Sequence, residues 1–399
     1  MQPGDQLITQ TRRKSVALIV ETSLSSGREI LRGVAQYAHQ TNNWEIFHAP
    51  HGLAEELPAW LSEWRGDGVI ARIQSRDKLE ALKKLALPVV DVLGLVSDSK
   101  FPLVHVDDAA ISGVVGEHFL RREFRHFAFY GFAGENWSER RRDAFRDSCR
   151  EGDTFHYLET TREAYENTTE AKQTLAAWIT TLPRPVGIMV CTDQCGLAVL
   201  EACRALKIPV PEQIAVVGVD NDLPLCEIGA PSLTSVRAGH FRVGYEAARL
   251  LDAVIDGAEP PGESILIPPT GIVTRGSSNT RALKDQAVAV GVNFIHQNLS
   301  TALSNDQIAR AAGLARTTFQ KRFRDEMGIT IRDYLIQQRL TRAHQLIVGS
   351  DFTLADIADR CGFRHQEYLG SVFKAHYGIT PGALRKRREG GNLDGEPLR

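Results

Sequence analysis

The sequence predicts a two-lobed α/β domain of parallel sheets, followed by an all-α domain of two helix-turn-helix units. Three observations predict it. Strand-like apolar runs alternate with amphipathic helices from residue 14 to residue 275. A single pattern is then written twice in the last hundred or so residues. Charge divides at the same place, because residues 281–388 hold 17 Lys and Arg against 9 Asp and Glu while the whole chain is −2. Such asymmetry points to a nucleic-acid partner for the basic part.

Residues 16–20 form a continuous apolar run rich in β-branched side chains, as buried parallel strands do. Residues 27–39 follow as a helix with Ile30, Leu31, Val34, Ala35 and Ala38 on one side. Further strand candidates lie at 44–47, 68–70, 89–92, 127–130, 187–190 and 214–219, with helical stretches such as 109–120 and 194–206 between them. This alternation argues for parallel sheets with helices on both faces. The span 14–275 is long for one doubly wound domain, so two similar lobes around a cleft are expected. The linker to the next domain is placed near Gly276-Ser277-Ser278.

Ligands of open parallel sheets bind at the carboxyl ends of strands. Polar side chains stand at those ends. Glu21 and Thr22 follow the first strand, Arg72 the third, Thr192 and Asp193 a later one, and Asp220 and Asn221 follow 214–219. Carboxylates, amides and arginines suit sugar hydroxyls, which both donate and accept. Trp137 can stack on an apolar sugar face. Arg72 and Arg141 together also suit an acidic ligand, and Asp193 also reads as a helix cap. There is no phosphate loop, no dinucleotide fingerprint, no serine elbow and no His/Glu metal pattern. No catalytic residue, no cofactor and no metal is therefore expected.

The six cysteines have irregular spacings and read as reduced, mostly buried thiols. No apolar run reaches the ~18–20 residues of a membrane span. The polar start, Met1 to Gln6, does not look like a secretory signal, so a cytoplasmic protein is expected.

In the C-terminal part, Ile308-Ala309, Gly313, Phe319, Phe323, Gly328 and Thr330 are echoed by Ile357-Ala358, Gly362, Tyr368, Phe373, Gly378 and Thr380. The offset is 49 residues at the start and 50 at the end, which places one inserted residue after the tyrosine. Each copy reads as a helix-turn-helix, at about 304–325 and 353–376. Ser304 or Asn305 caps the first copy and Thr353 the second. Gly313 and Gly362 make the turns, where positive φ is needed. Phe319 and Phe323 are expected to face inward in one copy, and Tyr368, Leu369, Val372 and Phe373 in the other. Facing outward, toward base edges or phosphates, are Arg316, Thr317, Gln320, Lys321 and Arg322, and then Arg364, His365, Gln366, Glu367 and Lys374. Of these, Arg316, Gln320, Arg364 and Gln366 are the expected base contacts. The run 385–388 adds candidate phosphate contacts. One long helix over 331–348 joins the copies and would hold them to two adjacent major grooves, about 34 Å apart.

The string Leu354, Ile357-Ala358, Cys361-Gly362-Phe363, Tyr368, Phe373-Lys374, Gly378, Thr380-Pro381, with Tyr334-Leu335, Arg339-Leu340 and Ala343 before it, resembles the AraC-type DNA-binding domain over 284–388. Members usually carry an aromatic where this chain has Leu369. The first part resembles the sensor domain of LacI-type regulators, through Arg28 with Gly33-Val34, Asp67 to Ile70, Phe127 to Gly131, Arg141 with Ala144-Phe145, and Gly218 with Asp220-Asn221. That resemblance implies a type I periplasmic-binding-protein-like fold, with Arg141 and Asp220 in contact with the sugar. Thr192 stands where many members have a contacting asparagine. LacI-type proteins begin with their own helix-turn-helix, and here the first strand starts by residue 15.

The combination resembles the xylose-operon activators. It implies a regulator responsive to a sugar, a pentose and xylose-like, that activates sugar-utilisation genes. Its implied partners are a double-stranded DNA operator, the sugar effector, a second copy in a homodimer, and RNA polymerase. The loop 21–28 and Arg72 differ from a strict xylose binder. Two alternatives stay open: a sensor of a non-sugar or acidic molecule, and an enzyme-like domain targeted to DNA.

Overall fold

The computed structural model describes residues 12–50, 52, 57–166, 168–280, 282–283 and 285–389. The polar start, Lys284, and the side chains of Arg387 and Arg388 lie outside the described residues. The chain divides between residues 281 and 282 into two compact units.

The first unit opens with β1 (Lys14–Ile19), α1 (Ser25–Thr41), β2 (Trp44–His48), β3 (Gly68–Ala71), α2 (Arg76–Lys83), β4 (Val89–Asp91) and β5 (Val104–Val106). Strands β2-β1-β3-β4 form one parallel sheet. The chain then crosses to a second lobe. That lobe contains α3 (Asp108–Leu120), β6 (His126–Phe132), α4 (Asn136–Asp147), β7 (Thr154–Thr160), α5 (Arg162–Glu166), α6 (Thr168–Thr181) and β8 (Val186–Val190). It continues with α7 (Asp193–Ala205), β9 (Ile214–Val219), α8 (Leu223–Ile228) and β10 (Thr234–Arg237). A second crossing leads to α9 (His240–Ile255) and β11 (Ile265–Ile267), which pairs with β5, and a third returns the chain to β12 (Gly271–Val273). The second sheet has the order β12-β10-β9-β8-β6-β7, parallel except for β12.

The central strands behave as continuous apolar runs should. Every residue of β8 and β9 is buried. The crossings explain why α9, late in sequence, belongs to the first lobe. It packs against α1 so closely that a Cβ on Gly33 would lie 2.0 Å from Phe241 O, and one on Gly244 would lie 1.9 Å from Ile30 O. Only glycine permits that approach. Asp252 of α9 then gathers Lys14 Nζ (2.7 Å), the Tyr37 hydroxyl (2.7 Å) and Trp44 Nε1 (2.8 Å), tying β1, α1 and β2 to it.

The expected linker is instead part of the second lobe. Ser277 and Ser278 are fully buried. The Ser277 hydroxyl donates to Val216 O (2.6 Å) and accepts from Thr234 N (2.8 Å). Small hydroxyl residues resemble a flexible connection, but here their oxygens complete the β9–β10 layer. All six cysteines are free thiols, five of them buried. No helix among the described residues is long and apolar enough to cross a membrane.

The second unit is helical, with α10 (Gln286–Gln297), α11 (Asn305–Ala311), α12 (Arg316–Met327), α13 (Ile331–Gly349), α14 (Leu354–Arg360), α15 (Gln366–Tyr377) and α16 (Pro381–Glu389). It has two cores. Val288, Val292, Ile308, Phe319, Phe323 and Tyr334 belong to one, and Leu340, Ile347, Ile357, Leu369, Phe373 and Leu384 to the other. The long helix α13 contributes to both. Arg339 on α13 donates to Leu299 O (3.0 Å) and Thr301 O (2.6 Å), fastening the loop of the first half onto the shared helix.

Candidate ligand cleft and nucleic-acid interface

The cleft between the lobes lies at the carboxyl ends of β1, β3, β4, β8 and β9, as the strand-end rule requires. It spans about 580 Å³ including the space open to solvent at its mouth. Arg72, Trp137, Arg141, Asp193 and Asp220 line it, as expected. Thr192 also lines it. Glu21, Thr22 and Asn221 stand outside its lining. Ser26, His105, Arg162, Asp222 and His240 line it and were not expected.

Each charged group in the lining already has a partner. Arg72 is ion-paired with the fully buried Glu21, and its Nη1 also reaches Ser26 Oγ (3.2 Å). The buried Arg141 guanidinium donates from Nε to Asp108 Oδ1 (2.9 Å) and from Nη1 to Cys191 O (2.6 Å). It lies 5.0 Å from the Trp137 ring centre, a cation–π contact that orients both. Arg162 pairs with Glu135, whose other oxygen accepts from Trp137 Nε1 (2.7 Å). His240 Nε2 donates to Asp220 Oδ1 (2.9 Å). Arg28 of α1 reaches Asp222 of the other lobe at 3.7 Å, and Asn136 Nδ2 donates across the cleft to Gly94 O (2.7 Å). These last two contacts bridge the lobes.

The carboxylates do different work. Burial would raise the Asp220 carboxyl, but the His240 hydrogen bond and the charges of Arg141 and Arg72 hold it below the ordinary range. Burial and the nearby Asp220 charge push Asp193 up to about 8. Its oxygens are engaged by the Ser235 hydroxyl (2.6 Å) and Asp222 N (2.7 Å). Asp193 therefore positions the 220–222 loop. The cap of α7 is Thr192, whose hydroxyl accepts from Cys195 N (3.4 Å), so the capping role moves one residue back. Asn221 is turned toward Arg275, which donates to its side-chain oxygen at 2.8 Å. Both Asp220 (φ 104°) and Asn221 (φ 52°) have positive φ. Asx residues tolerate the left-handed region, but φ 104° lies beyond it, the kind of strain that collects at functional sites.

His105 comes from the three-residue strand β5. Its Nδ1 donates to Val106 O (3.0 Å), which leaves Nε2 as an acceptor. Burial pushes its pKa down to about 4, so the ring is neutral. The cleft thus combines fixed arginine donors, an aspartate and a neutral imidazole as acceptors, and an indole. Such a set can hold a neutral polyhydroxyl molecule.

In the second unit the caps are as expected. Ser304 and Thr353 each form a capping box, with Gln307 and Asp356. Gly313 (φ 71°) and Gly362 (φ 75°) make the turns. The register of the second copy differs from expectation. Leu369 is buried where Phe319 is buried, while Tyr368 is 41% exposed and meets the edge of Phe363. The inserted residue therefore lies in the turn, between Phe363 and the start of α15, and not after the tyrosine. The turn absorbs the extra residue, so the register of α15 is shifted by one residue, about 100° of helix, from that expected, and a leucine takes the core place given to the tyrosine.

Arg316, Thr317, Lys321, Arg364, His365, Gln366, Glu367 and Lys374 are exposed, and Gln320 is half-buried. Arg316 reaches Asp306 at 3.3 Å. Arg322 is diverted to Asp285 (2.5 Å), the cap of α10, and so does not face outward unpaired as expected.

The matches to known proteins follow this division. Residues 15–108 match the model of the XylR N-terminal domain, 116–278 that of the periplasmic binding protein-like domain, and 308–387 that of a helix-turn-helix domain. The xylose operon regulatory protein of Escherichia coli (strain K12) is 32% identical over 390 residues, 94% of this chain and 97% of that protein. This chain belongs to the xylose operon regulatory protein family. The relative from Haemophilus influenzae is 29% identical over 93% of the chain and 97% of its own length. A solved structure of a xylose-binding transcription activator, xylR, superposes with a TM-score of 0.81 at 30% identity, covering 94% of this chain and 98% of that one. A LacI family regulator from Enterococcus faecium with bound ribose shares the fold of the first unit, with a TM-score of 0.55 at 21% identity and coverage of 68% of this chain and 100% of that one. Members of this family are transcription regulators.

Proposed function

We propose that this regulator senses a neutral sugar, a pentose and xylose-like, in the cleft, and answers by changing how its two helix-turn-helix units bind DNA. The observation that carries the ligand class is charge compensation. Arg72, Arg141 and Arg162 each face a carboxylate of the protein, so no arginine in the described lining awaits an anionic ligand. This favours a sugar over a sugar acid. The relatives are xylose operon regulatory proteins, which fits a pentose. In this reading Arg141, Asp220, His105 and Arg72 hold the hydroxyls and Trp137 stacks on the ring. Asp193, Glu21 and Asn221 position those groups. Arg28–Asp222 and Asn136–Gly94 are contacts of the closed state. A coupling of ~1–3 kcal/mol between cleft and reader would change DNA affinity about 5–150-fold. Activation through RNA polymerase, a homodimer and a cytoplasmic location complete the reading.

Thermal shift of the full chain across pentoses, hexoses and sugar acids tests it. Xylose at ~100 times Kd should add ~2.7 kcal/mol of stability. Stabilisation by sugar acids alone would sink the proposal.

At the DNA end, Gly370 gives an independent check. It sits mid-helix in α15, where α12 has Gln320, and a Cβ there would meet nothing within 4 Å. Glycine in a helix interior costs roughly 0.5–1 kcal/mol relative to alanine. The fold does not require it, so close approach to base edges is the remaining demand. Gly370→Ala is expected to raise the melting temperature yet weaken binding to DNA selected in vitro by the full chain. A rise in both would leave the glycine with no part in reading.

A further inference from the structure

The second lobe holds another cavity, behind the cleft. It measures about 1100 Å³ including its mouth. Tyr130, Phe132 and Tyr165 give it an aromatic floor, and Leu175, Leu197 and Ala198 an aliphatic wall. Tyr130 lines this space and is only 2% exposed, and its hydroxyl makes no hydrogen bond among the described residues. Burial pushes the Tyr130 phenol far up, so it remains a donor. The hydroxyl oxygen is not fully enclosed, so it is free to donate to water or to a guest.

The charges around the cavity are mostly satisfied. Arg162 pairs with Glu135, and Lys172 with Glu201 at 3.2 Å. Glu166 lines the cavity without an ion pair among the described residues, but it is exposed at the rim. An aromatic floor, one unpartnered donor and compensated charges select a small neutral ring bearing one acceptor.

The cavity and the cleft share a wall, made by Arg162 and Gln194. The Arg162 guanidinium lies 4.6 Å from the Phe132 ring centre on the cavity side and 5.9 Å from that of Trp137 on the cleft side. A guest against Phe132 would bear on Arg162 and, through it, on the indole of the cleft. We propose that this cavity is a second small-molecule site for a neutral aromatic compound, and that its occupancy alters sugar affinity. The coupling half rests on the sugar reading above, and the site itself does not.

The test uses the full chain without sugar, titrated calorimetrically with phenol, toluene, benzoate and benzylamine. Phenol and toluene should bind and the two charged probes should bind at least ~10-fold more weakly. Tyr130→Phe should weaken phenol ~5-fold, the loss of one hydrogen bond, and leave toluene unchanged. Ala198→Trp should abolish both, with Ala171→Trp as a second filling variant should the first not fold. No binding by either neutral probe, preference for benzylamine, or binding that survives a folded filling variant would overturn the site. Xylose affinity is then measured with and without saturating phenol, and a change of ~5-fold or more is expected. An unchanged value would overturn the coupling.

Discussion

Arg141→Ala should destabilise the first unit by about 3 kcal/mol and remove the rise in melting temperature proposed for xylose. The guanidinium is buried and holds Asp108 and Cys191 O together. Breaking one partner of a buried pair costs roughly 3–5 kcal/mol, because the other is left uncompensated. The lower end applies, since Arg140 also reaches Asp108, at 2.9 Å. For a unit of this size the loss corresponds to a fall of roughly 6–12 °C. Calorimetry with and without xylose reads both effects, and Arg141→Lys, which keeps charge but not the fork, should recover part of the stability and little of the sugar response. A full xylose shift in the alanine variant would show that Arg141 supports the fold and does not touch the ligand.

Phe373→Ala should abolish DNA binding and leave sugar binding intact. Phe373 is fully buried in the second core, stacked on His344 and against Tyr377. Truncating a buried phenylalanine costs ~3–5 kcal/mol. In a small helical unit that is a fall of roughly 10 °C or more. The xylose-dependent transition of the other unit should remain, as measured by calorimetry, while mobility shift shows no complex. Retained DNA affinity would mean that the first copy alone carries recognition.

Both variants act on residues that stand out in the sequence itself. Arg141 lies in a matched motif, and Phe373 lies on a helical stripe. Other residues of the cleft do not stand out, for a specific reason. His105 sits in a strand of three residues that exists only because β11, far along the chain, pairs with it. A run that short has no period to read. Arg162 and Asp222 each follow a strand end, but only the cleft geometry tells them from ordinary turn charges. Tyr368 and Leu369 show the opposite case. The repeated pattern is plain in the residues and its register is not, because composition cannot say whether an inserted residue falls in a turn or a helix.

Local regularities suffice for the alternation of strands and helices, the doubled helix-turn-helix, its caps and its turn glycines. They depend on nearest neighbours along the chain and on helical or strand period, both of which are written into the order of residues. Tertiary structure decided which carboxylate faces which arginine. Glu21 neutralises Arg72, Asp108 neutralises Arg141, and Asp193 lines the cleft while holding Asp222 N of the 220–222 loop. Coulomb and hydrogen-bond energies depend on distances of a few ångströms between residues far apart in sequence. Those distances arise only when the three crossings bring the two lobes together, and they leave each arginine of the cleft facing a carboxylate of the protein.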